Sequence, residues 1–475
     1  MIAHDFMAPL MFAGMMAFLL IGFPVAFSLA AVGLFFGLVG IELGYFQPIF
    51  LQALGDRVYG ILSNDLLLAI PFFTFMGAIL ERGGLAEDLL DGMGQLFGPV
   101  RGGLAYAVII VGAILGAITG TVAASVIAMG LISLPIMQRY GYDMKLTTGV
   151  IAASGTITQL IPPSLVLIVL ADQLGRSVGD LYAGAMGPSI VQVLLFCAYI
   201  AVVSIVKPDW IPALPASART IHGAALAIKI LGGMVPSLLL IFLVLGTIFM
   251  GLATPTEAGA MGAVGAVALS LAHRRLSFDL LWQSMDSTMR LTAMVIFILV
   301  GSTVFTLVFR GVDGDLWIES LLSGLPGGVT GFLAFVCVFV FILAFFLDFF
   351  EIAFIVIPLL APVAHKLGID LVWFGVLLCV VMQTSFMHPP FGFALFYLRG
   401  IAPPSVKSAD IYWGAIPWVG LQLIMAAIVV LWPELVTFTL DKASTIDPDT
   451  ITIEVPAQED PAPPVEEPEE EPSED

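Results

Sequence analysis

The sequence predicts an all-α polytopic membrane protein, with about ten spanning helices and two re-entrant helical hairpins laid out as an inverted-topology repeat. Three observations lead there. The composition is too apolar for a water-facing surface. Apolar runs of membrane-spanning length recur along the chain. A pattern of Pro, Gly and Asp returns after 227 residues.

Composition sets the solvent. Hydrophobic residues make up 59% of the 475 and charged residues 11%, with a mean hydropathy of +1.05. Soluble domains carry about 25% charged residues, so this chain needs lipid around it. The net charge of −19 is unevenly placed. Residues 441–475 hold 13 acidic residues against Lys442 alone, so that tail carries −12 and the rest −7. With Pro456, Pro461, Pro463, Pro464, Pro468 and Pro472, the tail cannot bury enough apolar surface to offset its chain entropy and reads as disordered. Nothing is basic enough to bind nucleic acid. No cleavable signal pattern appears, and the first apolar run is long enough to remain a membrane helix. Cys197, Cys337 and Cys379 lie inside apolar runs and read as small buried hydrophobes. No Cys/His spacing suggests a metal site. Neither HExxH nor GxxxxGK[ST] occurs, so no cofactor and no ATP hydrolysis are expected.

A spanning helix needs ~20 apolar residues. Spans are expected at 6–23, 25–45, 61–80, 146–170, 182–206, 229–250, 255–272, 288–310, 371–398 and 411–437. The stretches 104–138 and 329–363 are too long for one span and too short for two with a turn, so each reads as a hairpin that enters and leaves on one side. Non-helical backbone at such a tip survives at membrane depth only where protein buries it or a wet cavity receives it. With this layout, 12 of the 17 Lys and Arg fall on one side and five on the other. The basic side is cytoplasmic, which puts both termini on the periplasmic side.

The repeat pairs Pro99 with Pro326, Pro135 with Pro362, Gly141 with Gly368, Asp143 with Asp370, and Pro162-Pro163 with Pro389-Pro390. It divides the chain into 1–228, with a hairpin near 104–138, and 229–440, with a hairpin near 329–363. Five spans separate the hairpins. An odd number makes the second enter from the opposite face, the layout of many secondary transporters, in which substrate and coupling ion bind near the midplane where broken helices meet.

Within the first hairpin, Gly112, Gly116 and Gly120 recur every fourth residue, a spacing suited to close helix packing. Thr119, Gly120 and Thr121 sit where the hairpin must turn. Their hydroxyls and freed carbonyls suit Na⁺, a hard cation that takes oxygen ligands. In the following span, Pro162-Pro163 removes two backbone donors. A plain proline kink needs no polar cluster, yet Thr156, Thr158, Gln159 and Ser164 surround this one. The two threonines are candidate cation ligands; Gln159, Pro162 and Ser164 are candidate substrate contacts. The matching break in the second half offers Thr384 and Ser385 for a cation, and Met387, His388 and Pro389 for substrate. Asp348 and Glu351 lie among apolar neighbours, and an ionisable group inside a membrane is a functional candidate. Asp348 matches Thr121 in the repeat, so it reads as a cation ligand or a tip-stabilising group. Glu257 begins a helix, where a carboxylate complements the helix dipole.

These residues carry a family resemblance. Gly251-Leu-Ala-Thr-Pro-Thr-Glu-Ala258, Ile161-Pro-Pro-Ser164, Leu347-Asp-Phe-Phe-Glu351 followed by Pro358 and Pro362, and Pro389-Pro-Phe-Gly-Phe-Ala-Leu-Phe396 resemble the large membrane subunit of tripartite ATP-independent periplasmic (TRAP) transporters, DctM type. The resemblance runs from about Phe6 to Leu440. It implies an elevator-type, Na⁺-driven carrier in the bacterial inner membrane. It also implies two partners, a small TRAP membrane subunit and a periplasmic substrate-binding protein that delivers an organic acid. The chain departs from the family pattern at His388, where Thr is common. Imidazole there could bond the substrate or titrate near neutral pH. The surrounding run, Phe386 to Gly400, resembles a branch associated with 2-oxo or hydroxy monocarboxylates.

Two other functions compete. A stand-alone divalent-anion/Na⁺ symporter would share the architecture. An intramembrane hydrolase would need a catalytic pair, and Asp348 has no buried Asp partner in the sequence while His388 sits in a proline break.

Overall fold

The computed structural model describes residues 4–440; the acidic tail, 441–475, lies outside the described residues. The first half of the chain forms α1 (His4–Ile21), α2 (Val25–Glu42), α3 (Ala53–Leu62), α4 (Ala69–Arg82), α5 (Leu85–Phe97), α6 (Gly103–Thr119), α7 (Val122–Arg139), α8 (Met144–Thr156), α9 (Leu165–Leu174) and α10 (Val178–Val206). The second half forms α11 (Gly223–Phe249), α12 (Pro255–Ala272), α13 (Phe278–Gly311), α14 (Gly314–Ser323), α15 (Gly328–Leu343), α16 (Phe349–Ile355), α17 (Ile357–Lys366), α18 (Leu371–Met382), α19 (Phe393–Ile401), α20 (Ser408–Leu431) and α21 (Glu434–Thr437). No strand occurs among the described residues. Among the described residues, seven helices are long and apolar enough to cross a membrane singly, and up to ten spans arise if each bent pair counts as one. Phe27, Phe35, Phe242 and Trp413 are 64%, 62%, 72% and 64% exposed. Large apolar side chains turned outward in this number fit lipid and not water.

The helices recur at the repeat spacing. Moving α7 forward by 227 residues gives 349–366, the extent of α16 and α17 together; α8 lands on α18 and α9 on α19. The turns recur too, for a local reason. Gly141 and Gly368 take φ of 77° and 73°, the left-handed conformation that ends a helix cheaply only at glycine. Two residues later Asp143 accepts the Leu146 amide at 3.1 Å, and Asp370 accepts the Trp373 amide at 2.7 Å. Each aspartate satisfies an otherwise orphaned helix-start donor.

α6 and α7 form a hairpin. The Tyr142 hydroxyl, just past α7, accepts the Leu104 amide at the start of α6 at 3.3 Å, so both outer ends of the hairpin lie at one level. Its arms, of 17 and 18 residues, are about 26 Å long at 1.5 Å per residue. The chain reverses at Gly120, whose φ is 60°. α6 lies close to α8 and to the turn that follows it because it carries glycine at both contacts. A Cβ on Gly112 would stand 2.6 Å from Ser154 Cβ, and one on Gly116 2.9 Å from Thr158 Cα. α15 and α16 form the second hairpin, with a turn at 344–348. It differs from the expected simple pair: its returning arm bends by 53° between α16 and α17, where Pro358 removes a backbone donor. The span expected at 61–80 is likewise longer and bent, with the pieces 48–62 and 65–82 meeting at 47°.

The two halves run in opposite directions. α8 starts at the base of the first hairpin and ends at its tip; α9 continues from there and packs against α17 and α18 at the second hairpin. Conversely, α19 leaves the second break and packs along α7, with Leu398 and Ile401 over Gly130. Ser405, just beyond α19, accepts the Gln138 amide at 3.0 Å, at the base of the first hairpin. Around this centre, α2 packs along α13, and α4 along α12 and α13.

Candidate functional site

Both hairpin tips open onto one cavity of about 250 Å³. Gly120, Thr121, Val122 and Ala123 come from the first tip, Asp348, Phe349 and Phe350 from the second, and Gln159, Leu165 and Val166 from the first broken span. Phe386, Phe393 and Tyr397 of the second broken span and Leu291 and Met294 of α13 complete the wall. No basic side chain is among them.

The local sequence explains what each group presents. Three helices of 18, 10 and 9 residues, α7, α9 and α19, begin on this cavity. Thr121 and Gly392, which precede α7 and α19, make no side-chain cap, so backbone donors there are left for another acceptor. Ser164 does cap α9, accepting the Val166 amide at 3.2 Å and donating to the Gln159 carbonyl. Asp348 caps α16. Its Oδ1 accepts the Glu351 amide at 2.8 Å, and Glu351 Oε2 accepts the Asp348 amide at 2.8 Å. This reciprocal pair shapes the second tip. Thr254 and Glu257 make the same arrangement at the start of α12, so Glu257 has a capping role there.

Gln159 is 1% exposed, lines the cavity, and neither its side-chain oxygen nor its nitrogen has a partner. A buried amide without partners costs about 1–3 kcal/mol, which marks a place built to receive a polar group.

The remaining predicted residues sit behind this surface. Thr156, Thr158 and Thr384 are fully buried and donate back to carbonyls three residues earlier, Ala153, Gly155 and Val381, at 3.0, 2.9 and 2.7 Å. Hydroxyls at helix ends commonly turn back in this way, and their oxygens can still accept. Of Thr119 only the backbone, at the end of α6, is described. The Pro162-Pro163 and Pro389-Pro390 bonds are both cis. Met387 is buried, with its sulfur 3.5 Å from Thr156 Oγ1. His388 is 1% exposed and lies between rings of the second hairpin: stacked on Phe345 at 4.0 Å and edge-on to Phe341 at 4.4 Å. It clasps the tip and does not line the cavity.

Two residues escaped the sequence reading. Gln383 is fully buried with both amide atoms unpartnered, and Gln422 of α20 donates to Thr156 Oγ1 at 3.2 Å. Gln422 is a lone amide in an apolar run, whereas Gln383 opens the polar Gln-Thr-Ser stretch of the second break, as Gln159 belongs to the polar stretch of the first. Ser385 Oγ is also buried without a partner. Gln159, Gln383 and Ser385 each carry a buried oxygen without a partner, the type of atom a small hard cation takes as a ligand. Among the described residues no group of three His, Cys, Asp or Glu side chains could hold a metal ion.

The comparisons with known proteins decide the family. The family described as "Tripartite ATP-independent periplasmic transporter, DctM component" matches residues 12–435. The chain belongs to this TRAP transporter family. Its similarity to the C4-dicarboxylate TRAP transporter large permease of Pseudomonas aeruginosa is 31% identity, over 82% of this chain and 89% of that one. The ectoine TRAP large permease of Halomonas elongata is 28% identical, over 92% of this chain and 100% of that one. The 2,3-diketo-L-gulonate TRAP large permease of Escherichia coli is 26% identical, over 91% and 99%. Among solved structures, the YdaH transporter of Alcanivorax borkumensis superposes with a TM-score of 0.57 at 14% identity, over 80% of this chain and 87% of that one. That likeness concerns the fold. The TRAP permease is thus a multi-pass, all-helical membrane transport protein, one component of a three-part carrier.

Proposed function

We propose that this TRAP permease imports a small organic acid, coupled to Na⁺, through the cavity between its two hairpin tips. The observation that carries the reading is the convergence of three helix N-termini and the unpartnered Gln159 amide on a cavity without a basic side chain. Helix N-termini attract carboxylates through backbone donors and the helix dipole. Apart from Thr121 and the Asp348 carboxylate, which is engaged by the Glu351 amide, the rest of the wall is aromatic and aliphatic and suits a small acid with an apolar end, such as a 2-oxo or hydroxy monocarboxylate. Na⁺ would occupy the oxygen-rich backbone behind each tip, with Thr119, Gly120, Thr121, Thr156 and Thr158 on one side and Asp348, Thr384 and Ser385 on the other. An ion there would order the tips around the substrate, since coupling requires ion and substrate to favour the same state.

In this reading a periplasmic binding protein delivers the acid and a small membrane subunit braces the permease. The hairpins and broken spans slide as a unit against α1–α4 and α11–α13, in the inner membrane, with both termini periplasmic. The test is uptake into proteoliposomes holding the permease, the small subunit and the binding protein, across a panel of organic acids. Uptake of at least one carboxylate, driven by an inward Na⁺ gradient, is expected. Uptake indifferent to Na⁺ would remove the coupling ion. Full uptake by the permease alone would favour the stand-alone symporter.

A further inference from the structure

Beyond the central cavity, α13 lines a second, polar cavity of about 350 Å³ between α3, α9 and α17. Arg57 and Arg310 both face into it, as does Asp172. That carboxylate is already engaged by neutral amides. Asp172 Oδ1 accepts Asn64 Nδ2 at 2.8 Å, and Oδ2 accepts Gln173 Nε2 at 2.9 Å. Among the described residues, neither guanidinium makes a hydrogen bond or an ion pair. Two arginines against the single Asp172 carboxylate leave the cavity with a net positive charge and two planar forks that match a carboxylate.

We propose that Arg57 and Arg310 form a second anion subsite, which holds a small carboxylate before it reaches the central cavity. The inference rests on the carrier reading for the direction of travel, because both arginines fall on the side assigned to the periplasm by the charge count. Both cavities border α13. Met294 lines the central cavity and Arg310 the outer one. They are 16 residues apart on one helix, or about 24 Å at the rise of an α-helix. The proposed route inward runs along α13.

The subsite can be tested without knowing the transported acid. Thr306 lines the same cavity. Thr306→Cys is made with Cys197, Cys337 and Cys379 replaced by alanine, and the whole complex is placed in phosphatidylcholine vesicles. Modification rates are then compared for an anionic and a cationic methanethiosulfonate of similar size. The anionic reagent is expected to react on the order of tenfold faster, the scale of focusing by like charges in a cleft. Arg57→Gln with Arg310→Gln should abolish that preference, and Arg310→Lys should keep most of it. Sodium pyruvate or sodium succinate should slow the anionic reagent relative to sodium chloride at equal ionic strength. Equal rates for the two reagents, a preference that survives the double variant, or no slowing by either acid would overturn the subsite. So would a preference erased by adding phosphatidylglycerol, since a lipid phosphate would then be the occupant. Uptake measured on the same vesicles separates the two proposals. Carboxylate protection without any uptake leaves the subsite standing and sinks the carrier reading; uptake without protection does the reverse.

Discussion

The hydroxyl of Thr156 lies 3.5 Å from the sulfur of Met387, across 231 residues of sequence. The contact joins the two broken spans at their breaks, and Gln422 of α20 adds its amide to both, 3.2 Å from the hydroxyl and 3.8 Å from the sulfur. Thr156→Val should remove the hydroxyl that Gln422 uses and leave its buried amide only the weaker Met387 sulfur, costing up to about 1–3 kcal/mol. Met387→Leu conserves volume and should cost less than about 1.5 kcal/mol. Thermal unfolding of the detergent-purified permease ranks the two; equal effects would mean the hydroxyl does not hold the breaks together.

The matched caps Asp143 and Asp370 make a symmetric prediction. Each Asp→Ala should cost about 1 kcal/mol, and Asn at either position should restore most of it, because an amide oxygen still accepts the helix-start donor. Chemical unfolding of the two Ala and two Asn variants checks this. A loss at one position only would show that the two turns share geometry without sharing function.

Asp348 combines a cap with a charge, and substitution can separate them. Asp348→Asn keeps an oxygen for the Glu351 amide, so expression and thermal stability should stay near wild type. The loss of charge should show as a several-fold rise in the Na⁺ concentration for half-maximal uptake, if the tip borders a cation. Normal Na⁺ activation in the well-folded variant would take the carboxylate out of the coupling scheme.

Glycine packing predicts a contrast. Gly112→Ala puts a methyl group 2.6 Å from Ser154 Cβ and 2.8 Å from the Ser154 carbonyl oxygen, and overpacking of this kind costs about 1–3 kcal/mol. At Gly232 of α11 nothing lies within 4 Å, so alanine there should be neutral or stabilise the helix by up to about 1 kcal/mol. An unchanged thermal unfolding midpoint for Gly112→Ala would refute the close approach of α6 and α8, and a fall for Gly232→Ala would refute the open space at α11.

Opposed hairpins predict opposed accessibility. Gln138 and His365 stand at the bases of the first and second hairpins. In a background without native cysteines, an impermeant thiol reagent added from the periplasmic side should label His365→Cys and spare Gln138→Cys. His365 suits this better than nearby Gly368, whose φ of 73° strains a side chain. Labelling of both positions would place both bases on one face and remove the alternating-access scheme.

What the sequence determined by itself was local or periodic. An apolar run of spanning length is a demand for lipid wherever it occurs, and a Pro-Pro pair removes backbone donors in any context. The Gly-x-Asp turns at 141–143 and 368–370 end one helix and start the next by rules that span four residues. For those reasons the spans, the breaks at Pro162 and Pro389, the reversal at Gly120 and the repeat itself were legible in the sequence, as were the motifs that signal the TRAP family. Tertiary structure alone decided which polar atoms meet. Asp348 had the residue type of an ion ligand, but only the folded tip shows its oxygen taken by the Glu351 amide. His388 had the type of a substrate contact, yet it is clasped by Phe341 and Phe345 from a hairpin more than 40 residues away. The convergence of α7, α9 and α19 on one cavity depends on how two oppositely directed halves close on each other, and no spacing within either half encodes that. Periodicity reports what a residue needs from its surroundings; only packing between distant segments says which neighbour supplies it.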